Sequence, residues 1–136
     1  MSLDSSREEV AGLFSQTVTR LGGGGWSDDV SAPRECELGS GAPGQQYRIQ
    51  RRGPGSADFR TAATKVQALW SDRGYEAALS TIDRGGAVEV RHVEVGNGLF
   101  LRLLLNENAA ILTGVSRCAP TVTSDDAALD GDSSET

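Results

Sequence analysis

Two cysteines and a single histidine carry most of the chemical potential of this 136-residue sequence. Cys36 and Cys118 are too far apart for a CxxC redox motif, and a zinc site would need ligands beyond these two and His92. Two readings remain open for the pair. Each cysteine sits at the edge of an expected element, so one disulfide would tie the start of the fold to its end. It would contribute on the order of 4 kcal/mol in the chain-entropy model and would place the chain in an oxidising compartment. The alternative is two reduced thiols in a cytosolic protein. His92 lies close to Glu89 and Glu94. On a strand Glu94 shares its face and Glu89 takes the opposite one, which is the minimum for a general base assisted by a carboxylate. A lone histidine on a sheet face is far more often structural, and no catalytic residue is assigned. The pairs Asp28-Asp29 and Asp125-Asp126 lack the ligand spacing of a calcium loop, so no metal is expected. Gly22 to Gly25 follows a helix pattern, whereas a phosphate-cradling loop follows a strand and opens a helix. These glycines read as a linker. With no GxSxG, HExxH, P-loop or GxGxxG motif in a useful context, the expectation is a protein that is not an enzyme and takes no cofactor.

Charge narrows the partners. The formal net charge is −6, from 13 basic and 19 acidic residues. Five of the acids, Asp125, Asp126, Asp130, Asp132 and Glu135, follow Thr123 with no base among them; without them the remainder carries −1. A nucleic-acid binder needs a basic surface to displace counterions, so nucleic acid is not an expected partner. The densest basic cluster is Arg48, Arg51 and Arg52, with Arg60 nearby. It reads either as a solvated strand end or as the contact for an acidic partner, and these three are the candidate partner-contact residues. No stretch approaches the roughly 20 apolar residues that span a bilayer.

The elements that must position these residues are legible from periodicity. Val10, Leu13, Phe14, Val18 and Leu21 form one helical stripe within Asp4–Leu21, with Ser6 and Glu9 as a capping-box pair and Gly22 beyond the end. Residues 22–44 are rich in Gly, Pro, Ser and Asp and read as an irregular connection. Gln45 to Arg51 alternates as a half-buried strand. Ser56 is placed to cap a second helix with the stripe Phe59, Ala62, Ala63, Val66, Leu69 and Trp70, ended by Gly74. From Tyr75 the period becomes two. Gly85-Gly86, Gly96-Asn97-Gly98 and Asn106-Glu107-Asn108 divide four strands, Leu99 to Leu105 being the most hydrophobic and therefore central. Val93 and Val95 fall out of phase with Val88 and Val90, which predicts a bulge near His92. Trp26 and Trp70 read as packing residues. The fold class is α+β, order α-β-α-β-β-β-β, with two helices on one face of a mostly antiparallel sheet of about five strands. Residues 1–123 make a single domain and 124–136 an acidic, disordered tail.

A helix, then Cys36 in the following loop, a second helix ending in Trp70 before Gly74, the late Gly96-Asn97-Gly98 hairpin and Ser116-Arg117-Cys118 form a familiar sequence of marks. The pattern, from about Val10 to Pro120, resembles the small extracytoplasmic domains of actinobacterial cell-envelope lipoproteins. The resemblance implies export and a Cys36–Cys118 bridge; the sequence departs from the pattern in the lipobox cysteine and signal peptide of such lipoproteins. Met1-Ser2-Leu3 runs straight into an Asp/Ser segment. It brings no catalytic residues. The expected function is a secreted or lipid-anchored, non-enzymatic binding module at the cell envelope. Its protein or small-ligand partner would meet the sheet face away from the helices, or the sheet edges. The alternative is a cytosolic immunity-type or chaperone-like interaction protein.

Overall fold

The computed structural model describes residues 3–27, 30–96 and 98–120. The acidic stretch 124–136, the Asp28-Asp29 pair and Asn97 lie outside them. In chain order the elements are helix α1 (Leu3–Arg20), β1 (Val30–Glu37), β2 (Pro43–Pro54), α2 (Phe59–Asp72), β3 (Ala78–Ile82), a 3₁₀ turn (Asp83–Gly85), β4 (Ala87–Val93), β5 (Phe100–Leu105), β6 (Ala109–Val115) and β7 (Ala119–Pro120). They form an α+β fold. The seven strands make one sheet in the order β1-β2-β6-β5-β4-β3, with β7 on the far part of β2, and each of these pairings is antiparallel.

The strand count exceeds the expected five by β7 and by β1, because residues 22–44 are not an irregular connection throughout but contain the strand Val30–Glu37. β1 pairs with β2 along its whole length, from Val30 opposite Gln50 to Glu37 opposite Pro43. Its sequence hides this. Apart from half-buried Cys36, the described side chains of β1 are exposed, so it has no apolar alternation, and Pro33 reads as a strand breaker. Pro33 is accommodated because β1 is an edge, where a missing N–H costs no ladder bond on the outer side.

Both helices lie on one face. Val10, Leu13, Phe14 and Val18 of α1 and Phe59, Ala63, Val66, Leu69 and Trp70 of α2 pack on Ile49, Val88, Val90, Leu101, Leu103, Leu105, Ala110 and Leu112 of the sheet. α1 crosses β6 at Gly114, where a Cβ would lie 2.7 Å from Val10 Cγ1 and 2.8 Å from Phe14 Cε1. The helices are joined at the buried Thr17 hydroxyl, which accepts from Trp70 Nε1 at 2.9 Å and donates to the Leu13 carbonyl at 2.7 Å. Trp26 lies flat on Gly53, whose Cβ would come within 2.3 Å of the indole.

Four local expectations are corrected. α1 begins before Ser6, so Ser6 is an interior, fully buried residue with no bonding partner for its Oγ, and the capping box does not form. Ser56 does not cap α2; Asp58 holds the N-cap position without a side-chain bond, and the Ser56 amide is tied instead to the Asn106 carbonyl at 3.1 Å. The strand expected from Tyr75 starts at Ala78, because Gly74, at φ +91°, and Tyr75 close α2 by bonding back to the carbonyls of Ser71 and Trp70, the Schellman arrangement. Finally, β4 carries no bulge. Its register with β5 runs unbroken from Val88 opposite Leu105 to Val93 opposite Phe100. His92 takes the inward place that Val88 and Val90 begin, and Val93 points out. The inward site accepts a polar ring because both ring nitrogens are bonded.

Candidate functional site

An antiparallel sheet with helices on one side leaves its other face to solvent or to a partner. Here strand alternation and register dictate what that face presents. Three cross-strand rows follow from the pairings: Arg48, Val115, Phe100 and Val93; Gln50, Thr113, Arg102, Arg91 and Ala78; and Arg52, Ile111, Leu104, Glu89 and Ser80. The middle columns, β6 and β5, are apolar except for Thr113 and Arg102, and their outward side chains are half-buried. They floor a groove of about 470 Å³ walled by Arg34, Gln46, Arg48 and Gln50 on one side and by Arg102, Glu94 and Gly98 on the other.

The charges in this groove are not equivalent. Arg102 and Arg91 stand directly opposite each other, a repulsive placement relieved on both sides. Arg102 donates to Glu89 at 2.6 Å, and the Arg91 guanidinium lies 5.6 Å from the centre of the Phe100 ring, within cation–π range. Arg34 and Arg48 are exposed and have no ion pair or hydrogen bond from their side chains among the described residues. The expected cluster of Arg48, Arg51 and Arg52 is thus divided by the pleat. Arg48 and Arg52 reach the open face, while Arg51 turns to the helix side and donates to the Ser27 carbonyl at 2.8 Å. Arg34 and Arg102 were not candidates from sequence. Arg34 lay in the supposed connection, and Arg102 reads as an interruption of an apolar run.

The end of the groove is fixed by two devices. Cys36 and Cys118 are joined, with sulfurs 2.06 Å apart and Cα atoms 6.1 Å apart. The bridge crosses β2 above Gly44, where a Cβ would come within 2.6 Å of Cys118 Sγ. Beside it lies a polar network that periodicity could not reveal, since its members come from four separate places in the chain. Arg117 binds Glu9 of α1, with Nε at 3.0 Å, and also Glu94. Glu94 in turn holds His92 Nε2 at 3.0 Å and accepts from the Leu99 amide at 3.2 Å. Tyr75 donates to Glu9 and meets the His92 ring edge-on at 5.5 Å. Nδ1 of His92 donates to the Glu76 carbonyl at 2.6 Å. Glu89, the other sequence neighbour of His92, is on the opposite face.

The network shifts its members' proton affinities. Partial burial works to raise the Glu94 carboxyl, but bonds from His92, the Leu99 amide and Arg117 outweigh it and hold it below its ordinary value. Burial, then the bond to anionic Glu9, pushes the Tyr75 hydroxyl up to about 12. Glu9, against a desolvation cost, drives Arg117 still further into its charged form. Among the described residues no group of three or more His, Cys, Asp or Glu side chains is placed to hold a metal ion, and no helix is long and apolar enough to cross a membrane.

No protein-family model matches the chain, and no curated protein matches it. Among solved structures it is similar to the crystal structure of a DUF4853 family protein from Actinomyces odontolyticus, with a TM-score of 0.67 at 16% identity, covering 93% of this chain and 73% of that one. At that identity the likeness establishes the fold, which is shared with an uncharacterised domain of an actinobacterium.

Proposed function

We propose that this chain is an exported, non-enzymatic binding module of the cell envelope, and that the groove on its open sheet face is where it meets its partner. The observation that carries the reading is the pair of exposed arginines, Arg34 and Arg48, unpaired among the described residues, beside a floor of Val115, Ile111, Phe100 and Leu104 broken by Thr113 and Arg102, on the face the helices leave uncovered. The disulfide supports the compartment, because such bonds persist in oxidising surroundings and are rare in the cytosol. The likeness of fold to an actinobacterial domain is consistent with it. His92 supports a non-catalytic reading. Both its ring nitrogens are committed to oxygen atoms of the protein, so the ring presents no free nitrogen to a substrate, as a general base must. A lipid anchor, where present, would hold the module at the outer face of the membrane.

Photocrosslinking in living cells of the native host tests this. A photoreactive side chain at Thr113, on the groove floor, should give adducts in the envelope fraction, and one at Ser15, exposed on α1, should not. Protein recovered from the cytosol with Cys36 and Cys118 both alkylatable, and no adduct at Thr113, would reject the reading.

A further inference from the structure

The groove has a width and a polarity that select among partners. This step rests on the reading of the open face as the binding surface and asks what chemistry fits it. Arg48 on β2 and Arg102 on β5 are separated by β6 alone, two strand spacings or roughly 10 Å, and Arg34 on β1 stands one strand further out. Between them runs β6 with Val115, Thr113 and Ile111, and Phe100 and Leu104 flank Arg102 along β5. An α-helix with its side chains is about 10–12 Å across. The six residues of β5, at about 3.4 Å each, give a floor roughly 20 Å long, which a helix of about 14 residues covers. The opposite face of the same sheet receives two helices on its aliphatic surface.

We infer that the groove receives an acidic amphipathic helix of a partner protein. Its aliphatic stripe lies on Val115, Phe100, Ile111 and Leu104, and its flanking Asp or Glu residues face Arg34 and Arg48. Three features point to a polypeptide helix. The positive charge is concentrated along one wall, since Arg102 is already paired with Glu89. The central pair Thr113 and Arg102 is bracketed by Val115 and Phe100 on one side and by Ile111 and Leu104 on the other, and a free phosphate or a polysaccharide would not call for that apolar area. The other end of the groove carries the Glu94 carboxylate, bonded to Arg117 and His92, which disfavours a uniformly anionic surface.

The probes are three synthetic helices of about 14 residues titrated against the full chain by fluorescence anisotropy. One has a leucine stripe flanked by glutamates, one has the flanks changed to lysine, and one keeps the glutamates but has serine in the stripe. The first should bind and the others should not, and its affinity should fall as salt screens the charges. The double variant Arg34→Glu/Arg48→Glu should weaken the first peptide by roughly tenfold or more and should bind the lysine-flanked one, a swap that a misfolded protein cannot give. Equal binding of the serine-stripe peptide, indifference to the double variant, no binding of any peptide, or binding to vesicles of anionic phospholipid in place of the leucine–glutamate helix would each overturn the inference. Crosslinking at Thr113 that persists while the peptides fail removes this inference alone. Absence of both removes the reading beneath it.

Discussion

Two buried hydroxyls show how the same residue type has opposite worth. Thr17 accepts from Trp70 and donates to Leu13. Thr17→Val keeps the shape and strands the indole N–H in the core, a loss of about 1–3 kcal/mol, visible as a lower urea midpoint with an unchanged slope. Ser6 is equally buried, but its Oγ has no partner among the described residues. Ser6→Ala therefore removes an uncompensated polar atom and should leave stability unchanged or raise it, read from the same urea curves. Tyr75 gives a pH prediction. Its folded-state value lies above the ordinary 10.0, so the fold favours the protonated hydroxyl. That contribution is complete below pH 10 and is lost as pH rises through about 12. The melting temperature should fall across that window, and Tyr75→Phe should flatten the decline. Glu94 works in the other direction, its depressed value giving stability that is lost as pH falls below the ordinary carboxylate range.

At the scale of elements, packing decides where the helices sit. α1 rests on β6 through the missing side chain of Gly114, with Val10 and Phe14 filling the space. Gly114→Ala inserts a methyl where no flexible surface atom can give way. It should cost about 1–3 kcal/mol by overpacking, and Phe14→Leu in the same chain should recover part of it, a coupling that a double-mutant cycle measures. The elements legible in the sequence were those with one buried face. The stripe of α1, the stripe of α2 and the alternation of β5 and β6 each record a boundary between core and solvent. β1 was not legible, because its described side chains, Cys36 aside, are exposed and its position is fixed by backbone bonds to β2, which leave no trace in residue type. The phase of β4 was misread for a related reason. His92 is polar yet buried, and Val93 and Val95 are apolar yet 54% and 95% exposed, so hydropathy pointed the wrong way at three neighbouring positions. The groove inherits this. Its floor was visible as the outward residues of β5 and β6, whereas its wall depends on Arg34, on the unseen strand. The polar network gathers Glu9, Tyr75, Glu94 and Arg117 through tertiary contacts alone.

For the whole molecule the disulfide does more than close a long loop. The bridge spans 82 residues, a separation at which removal costs about 4 kcal/mol in the chain-entropy model. That is a large part of the roughly 5–15 kcal/mol that holds a domain of this size. The loss should not be spread evenly. β5 and β6 are paired on both sides and covered by α1 and α2, whereas β1 is an edge strand, laddered to β2 on one side and tied at Cys36 by the bridge. In a Cys36→Ala/Cys118→Ala variant the amides of β1 should lose hydrogen-exchange protection first, while those of β5 and β6 keep protection set by global unfolding. Since Arg34 stands on β1, one wall of the groove loosens with it. The variant should therefore bind the leucine–glutamate helix more weakly than its residual stability alone accounts for, even at temperatures where the sheet remains folded. Uniform loss of protection across the sheet, or undiminished binding by the variant, would show instead that β1 and its arginine are positioned by the β2 ladder without help from the bridge.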